Sequence, residues 1–199
     1  MNIQNLNRVR KTVPIKTSLQ DYLFKLIYFE DLAEDDIKTL VDVAILRDYP
    51  SHETISYEGD TAKGLWIIIK GRIKISNLNE NGAEHILHIL GLGDTFNDFA
   101  AFDGGNNPGN AIALSDVSLC LIPAEYLKHL IETDGKFALK VVSILGHRIR
   151  NLVGHIEDLA LHSVIVRLSR FLLKQMEVPS LNGVGVTRTV IAAHLATTP

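Results

Sequence analysis

Residues 64–94 read GLWIIIKGRIKISNLNENGAEHILHILGLGD. Three short apolar runs, Leu65 to Lys70, Arg72 to Leu78 and Glu84 to Leu90, are separated by Lys70-Gly71 and Asn79-Glu80-Asn81-Gly82, and the stretch closes on Gly91-Leu92-Gly93-Asp94. Gly and Asn reach positive φ at little steric cost, so each interruption is a turn with a mechanism. Runs of this length, rich in Ile and Leu and partly alternating, read as strands. The pattern extends outward: Glu58-Gly59-Asp60 precedes it, Gly104-Gly105-Asn106-Asn107-Pro108-Gly109 follows, and Ala111 to Ile122 forms a further run. Short strands at this spacing predict a barrel or sandwich.

Helices are expected on both sides. Upstream, Asp31 to Asp36 is acidic and precedes Ile37, Leu40, Val41 and Val43, an amphipathic helix whose carboxylates suit its N-terminal dipole. Downstream, Pro123 opens one helix and a longer one starts near Gly135. Phe137, Val141, Ile144, Leu145, Ile149, Leu152, Ile156 and Leu159 step along it at helical spacing. A helix of about 25 residues, roughly 37 Å, is longer than a small barrel needs as a cover, and predicts pairing with a second copy of the chain. Phe137, Val141, Ile144, Leu152, Ile156 and Leu159 are the expected interface residues. Ser163 then caps a helix from Val164 to Met176, residues 178–183 form a turn, and Thr187 caps a last helix from Arg188 to Leu195.

The chain has 199 residues and a net charge of −3, so no global basic field argues for nucleic acid, and any DNA contact must be local. Cys120 stands alone, which excludes an intramolecular disulfide, a multi-cysteine zinc site and a four-thiolate iron–sulfur cluster. The first residues lack the apolar core of a signal peptide, and no stretch approaches the ~20 apolar residues that span a bilayer, so a cytoplasmic protein with no membrane partner is expected. No nucleophile triad, carboxylate pair, phosphate loop or metal spacing rises above chance, and an enzyme is not expected. His85 and His88, three apart on one expected strand, are expected on opposite faces and hence unable to share a metal.

The order of elements, with Tyr28-Phe29-Glu30-Asp31-Leu32, Glu58-Gly59-Asp60, Ile69-Lys70-Gly71-Arg72-Ile73-Lys74, Gly93-Asp94-Thr95-Phe96-Asn97-Asp98, Ala113-Leu114-Ser115-Asp116 and Thr187-Arg188 with Ile191 to Pro199, resembles the family of the cyclic-AMP receptor protein and the fumarate–nitrate reduction regulator (Crp/Fnr). The resemblance covers nearly the whole chain. It implies an α+β fold: a cyclic-nucleotide-binding-like β-roll (double-stranded jelly-roll) with flanking helices, a long dimerisation helix and a partial winged helix-turn-helix. The implied division is an N-terminal extension at 1–22, an effector-binding β-roll at 23–134, the dimerisation helix at 135–162 and an incomplete DNA-binding domain at 163–199.

The implied function is a ligand-responsive regulator of transcription, a homodimer whose long helices relay effector binding to double-stranded DNA-binding domains. Members that bind cyclic AMP hold it with a Gly-Glu pair, an Arg-Ser pair and a Thr-Ser pair; here those positions carry Asn97-Asp98, Asn107-Pro108 and Leu152-Val153. The effector is therefore expected not to be cyclic AMP, and its identity stays open. Candidate pocket residues are Phe96, Asn97, Asp98, Phe99, Asn107, Leu145, Ile149, Leu152 and Val153, with Phe102 beside them. Thr187 and Arg188 are the implied phosphate contacts. No metal or certain cofactor is implied. A haem-based gas sensor of the same family, or a sensor and dimerisation module that has lost DNA binding, are the alternatives. Pro199 falls in the first turn of the expected recognition helix, so the chain reads as C-terminally incomplete.

Overall fold

The computed structural model describes residues 15–177 and 187–195. Two helices, α1 (Ile15–Leu23) and α2 (Glu34–Val43), lead into eight strands: β1 (Ile45–Tyr49), β2 (Thr54–Ser56), β3 (Gly64–Lys70), β4 (Ile73–Leu78), β5 (Glu84–Leu90), β6 (Thr95–Phe96), β7 (Asn110–Ala113) and β8 (Val117–Pro123). A short helix, α3 (Asp98–Asp103), interrupts the strands between β6 and β7. Four helices follow: α4 (Ala124–Thr133), α5 (Gly135–Leu161), α6 (Val164–Glu177) and α7 (Arg188–His194).

The strands form two four-stranded sheets of order β1-β8-β3-β6 and β2-β7-β4-β5, with every pairing antiparallel. Trp66 and Ile68 of β3 and Leu119 and Leu121 of β8 meet Ile73 and Ile75 of β4 and Ala111 and Ala113 of β7 between the sheets. The alternate residues Leu65, Ile67, Cys120 and Ile122 face the other way, into a second core built from α1, α2, α4 and α5. Both faces of β3 and β8 are thus covered, which is why they read as continuous apolar runs rather than strict alternations. At Gly71 (φ +84°) a Cβ would lie 2.3 Å from the Asp116 carbonyl oxygen, so the β3–β4 turn needs glycine there.

Two expectations change. The run Ala111 to Ile122 is two strands, because Leu114-Ser115-Asp116 turns the chain from one sheet to the other. β1, β2 and β6 were not anticipated from the sequence pattern. His85 and His88 reach different helices, His85 Nδ1 lying 3.0 Å from the Ala193 carbonyl oxygen of α7 and the His88 ring centroid 6.1 Å from that of His155 on α5. Their β4 partners, Asn77 and Ile75, are two residues apart, and a register shift leaves Leu87 as the extra residue of a bulge.

The long helix runs for 27 residues, capped by Asp134, whose Oδ1 accepts from the Lys136 and Phe137 N–H groups. Its first half is packed on the chain's own core: Phe137, Val141 and Ile144 are 3, 4 and 8% exposed there. These three residues are therefore core, not interface as expected; the start of α5 packs on the segment between α1 and α2, where Phe137 stacks on Phe29, and the apolar stripe splits between two faces. Leu152, Ile156 and Leu159 remain exposed. Thr187 caps α7 with its side chain accepting from the Val190 N–H at 3.3 Å. The expected turn at 178–183 and the residues 196–199 lie outside the described residues, as does the first part of the expected N-terminal extension.

Candidate functional site at the join of α3 and α5

The short helix α3 hangs between β6 and β7 and is pinned to the long helix through one carboxylate. Asp98, fully buried, accepts from the Tyr28 hydroxyl at 2.5 Å and from the Phe99 N–H at 3.1 Å, and its Oδ2 lies 2.8 Å from Nη2 of Arg148 on α5. The same Arg148 nitrogen donates to Thr95 Oγ1 at 2.7 Å, immediately before the insert. Burial first, then the neighbouring Asp98 carboxylate, push the Tyr28 hydroxyl well above its ordinary pKa, so it stays a donor at any physiological pH. Tyr28 also packs its ring on Phe102 of α3, centroids 5.7 Å apart.

The polar positions of the expected pocket also bind one another. Asn97 sits in the left-handed region (φ 58°) at the start of α3 and donates to Asn107 Oδ1 at 2.7 Å; both are buried. Asn107 in turn donates to the Tyr57 carbonyl at 3.0 Å, and its backbone N–H to the Asp60 carbonyl at 2.8 Å. The loop before β3 and the loop before β7 are thereby stitched together across the mouth of the roll. Of the expected pocket residues the structure brings Asn97 and Asn107 into contact beside Asp98, and it adds Tyr28, Thr95 and Arg148, which the sequence pattern did not mark as site residues. The Asp98 carboxylate, expected to face an incoming ligand, faces inward to Arg148.

The apolar candidates divide. Phe96 is buried and stacks on Trp66 at 5.9 Å between the sheets, so it is core. Phe99 is exposed, Leu145 half-buried, and Ile149, Leu152 and Val153 exposed on α5. Farther along the same helix, the rings of His155 and His88 of β5 have centroids 6.1 Å apart. Among the described residues there is no group of three or more His, Cys, Asp or Glu placed to hold a metal ion, and no helix long and apolar enough to cross a membrane. Arg188 is exposed at the start of α7.

Paired antiparallel sheets, a helical insert between the sixth and seventh strands and a long helix packed on the roll define a β-roll domain followed by a helical segment. Residues 46–134 match the family described as cyclic nucleotide-binding domain. Over 127 residues the chain is 28% identical to a CRP-like cAMP-activated global transcriptional regulator of Mycobacterium tuberculosis, a match covering 64% of this chain and 57% of that protein. Among solved structures, FixK2 of Bradyrhizobium japonicum superposes with a TM-score of 0.71 at 23% identity, covering 78% of this chain and 79% of that one. A Crp/Fnr-family regulator from Eubacterium rectale gives 0.69 at 23% identity, covering 85 and 81%. The match to the cyclic nucleotide-binding domain family is confined to residues 46–134, the chain spans 57% of the length of the Mycobacterium tuberculosis regulator it resembles, and the likeness to the solved structures is one of fold.

Proposed function

We propose that the protein is a ligand-responsive regulator of transcription of the Crp/Fnr type, working as a homodimer, with a small-molecule effector other than cyclic AMP. The observation that carries the effector reading is the closed network at α3. A cyclic nucleotide needs a cation for its phosphate and a carboxylate for its ribose hydroxyl. Here the Arg148 cation and the Asp98 carboxylate satisfy each other, and Asn97 and Asn107 do the same. A nucleotide phosphate would have to compete with a buried carboxylate for Arg148, against charge-assisted bonds worth about 1.5–3 kcal/mol each.

Dimerisation is supported by the exposed face of α5. Val142, Ile149, Leu152, Ile156 and Leu159 are exposed there, and from Ile149 onward they repeat by three and four, with isoleucines at one heptad position and leucines at the other. That choice favours parallel two-stranded coils. Ile149 and Ile156 are 61 and 66% exposed, which a solvated helix does not favour. Because Arg148 lies on the same helix one residue from Ile149, an effector that moves α3 shifts the helix that carries the seam, biasing a pre-existing equilibrium. Thr187 and Arg188 of α7 are then phosphate contacts that position rather than specify.

The test is selection of genomic DNA fragments by the product of the complete gene. A two-fold-symmetric sequence with half-sites one helical turn apart, about 34 Å, supports the reading. Binding with no sequence preference under any effector condition overturns it.

A further inference from the structure

Strand β5 touches helices on both of its sides. On the inner side, by register with Ile75, His88 meets His155 of α5. On the outer side Ile86 and Ile89 pair with Ser76 and Lys74. That face mixes polar and apolar residues: Lys74 lies 2.6 Å from Glu84, Ser76 donates to Glu84 at 2.7 Å, and Ile112 of β7 pairs with Lys74. Ile86 and Ile89 are buried on it, at 1 and 6% exposure. What covers them is α7: Val190 and Ala193 pack on the cluster of Ile86, Ile89 and Leu114. His85 adds a polar tie, its Nδ1 lying 3.0 Å from the Ala193 carbonyl oxygen. A carbonyl only accepts, so Nδ1 carries the hydrogen, and the bond engages one of the last-turn carbonyls that a helix leaves without an internal donor.

We infer that β5 is a brace for α7: the Ile86–Ile89 patch and the His85 side chain seat the first helix of the output segment directly on the β-roll. A helix of seven residues does not hold its shape in water without such packing. The seat gives the sensor a second connection to its output segment besides the covalent path through α5 and α6. His88 against α5 and His85 against α7 are three residues apart on β5, so a displacement of β5 against α5 is carried to the α7 seat over three residues. This inference deepens the regulator reading above, since α7 matters as output only if that reading holds.

Hydrogen–deuterium exchange of the 199-residue chain tests it without DNA, so it can fail while the regulator reading stands, and the reverse. His85→Ala is expected to speed exchange of the α7 amides on the order of 2- to 10-fold, the loss of one net hydrogen bond. His85→Asn, whose amide nitrogen reaches the place of Nδ1, is expected to restore the slower rate. Ile89→Ser is expected to expose α7 further while β3 and β8 keep their protection; if that variant disturbs β8 as well, the two His85 variants give the reading. Equal α7 exchange in wild type, His85→Ala and His85→Asn overturns the inference, as does an α7 that exchanges at unprotected rates in the wild type.

Discussion

Arg148 on the long helix and Asp98 at the start of the insert helix meet at 2.8 Å, with the carboxylate fully buried and Thr95 and Tyr28 completing the contact. This pair ties the helix that carries the exposed apolar seam to the segment that would sense a ligand. Removing one member of a buried pair is costly because the other is left without its counter-charge. Arg148 is partly open to solvent, which tempers that cost. Arg148→Ala is therefore expected to lower stability by about 2–3 kcal/mol. In a double-mutant cycle by chemical denaturation, adding Asp98→Ala should cost less than the single changes summed. Additive losses would show that the two residues do not act as a unit.

The two apolar faces of α5 should separate in solution. Ile149→Glu or Leu152→Glu is expected to yield a monomer by sedimentation at micromolar concentration, with an unchanged circular dichroism spectrum. Phe137→Ala should instead destabilise the protein by about 3–5 kcal/mol, because Phe137 stacks on Phe29 in the helix-covered core. If Ile149→Glu sediments as wild type does, α5 is not the seam.

Cys120 is fully buried, and burial pushes its thiol pKa up to about 12. A thiol in that state is a poor nucleophile. Labelling with a thiol-specific reagent at pH 8 is expected to follow global unfolding, reaching completion in denaturant and proceeding only slowly without it. Rapid labelling of the native protein would contradict the packing of β8.

Glu84 supplies a pH-dependent contribution. Burial raises its pKa, but hydrogen bonds from Lys74 and Ser76 and the Lys74 charge outweigh that, so in the folded protein it lies below the ordinary glutamate value. A carboxylate depressed on folding stabilises the native state above its unfolded pKa, and the contribution is lost as pH falls through the folded value. The Glu84 side chain is 30% exposed and solvent-screened, so the effect is modest. Glu84→Gln is expected to lower the thermal midpoint at pH 7 slightly and to leave it unchanged at pH 3; an equal loss at both would place the effect elsewhere.

Much of the roll was readable from local chemistry. β3, β4 and β5 lie between turns that Gly71 and Asn79 to Gly82 mark, and Asp134 and Thr187 are capping residues with visible signatures. What escaped depends on partners distant in sequence. β2 and β6 have three and two residues, too short for any period, and owe their form to β7 and β3. Tyr28 and Asp98 are 70 residues apart, and nothing in either neighbourhood marks the other. On α5 the sequence holds two overlapping apolar stripes, and only the placement of α1 and α2 decides that Phe137, Val141 and Ile144 face inward while Ile149 and Ile156 do not. The bulge at Leu87 comes from a register shift of β5 against β4, which alternation alone does not reveal.

With Asp98 held by Arg148 and Asn97 by Asn107, cyclic AMP meets no free partner at these positions. Titration calorimetry of the purified protein with cyclic AMP is the decisive measurement. No saturable heat and no shift of the thermal midpoint are expected with the nucleotide in large excess. A dissociation constant in the micromolar range or tighter would contradict that expectation, because Asp98 would then have to release Arg148 at little cost.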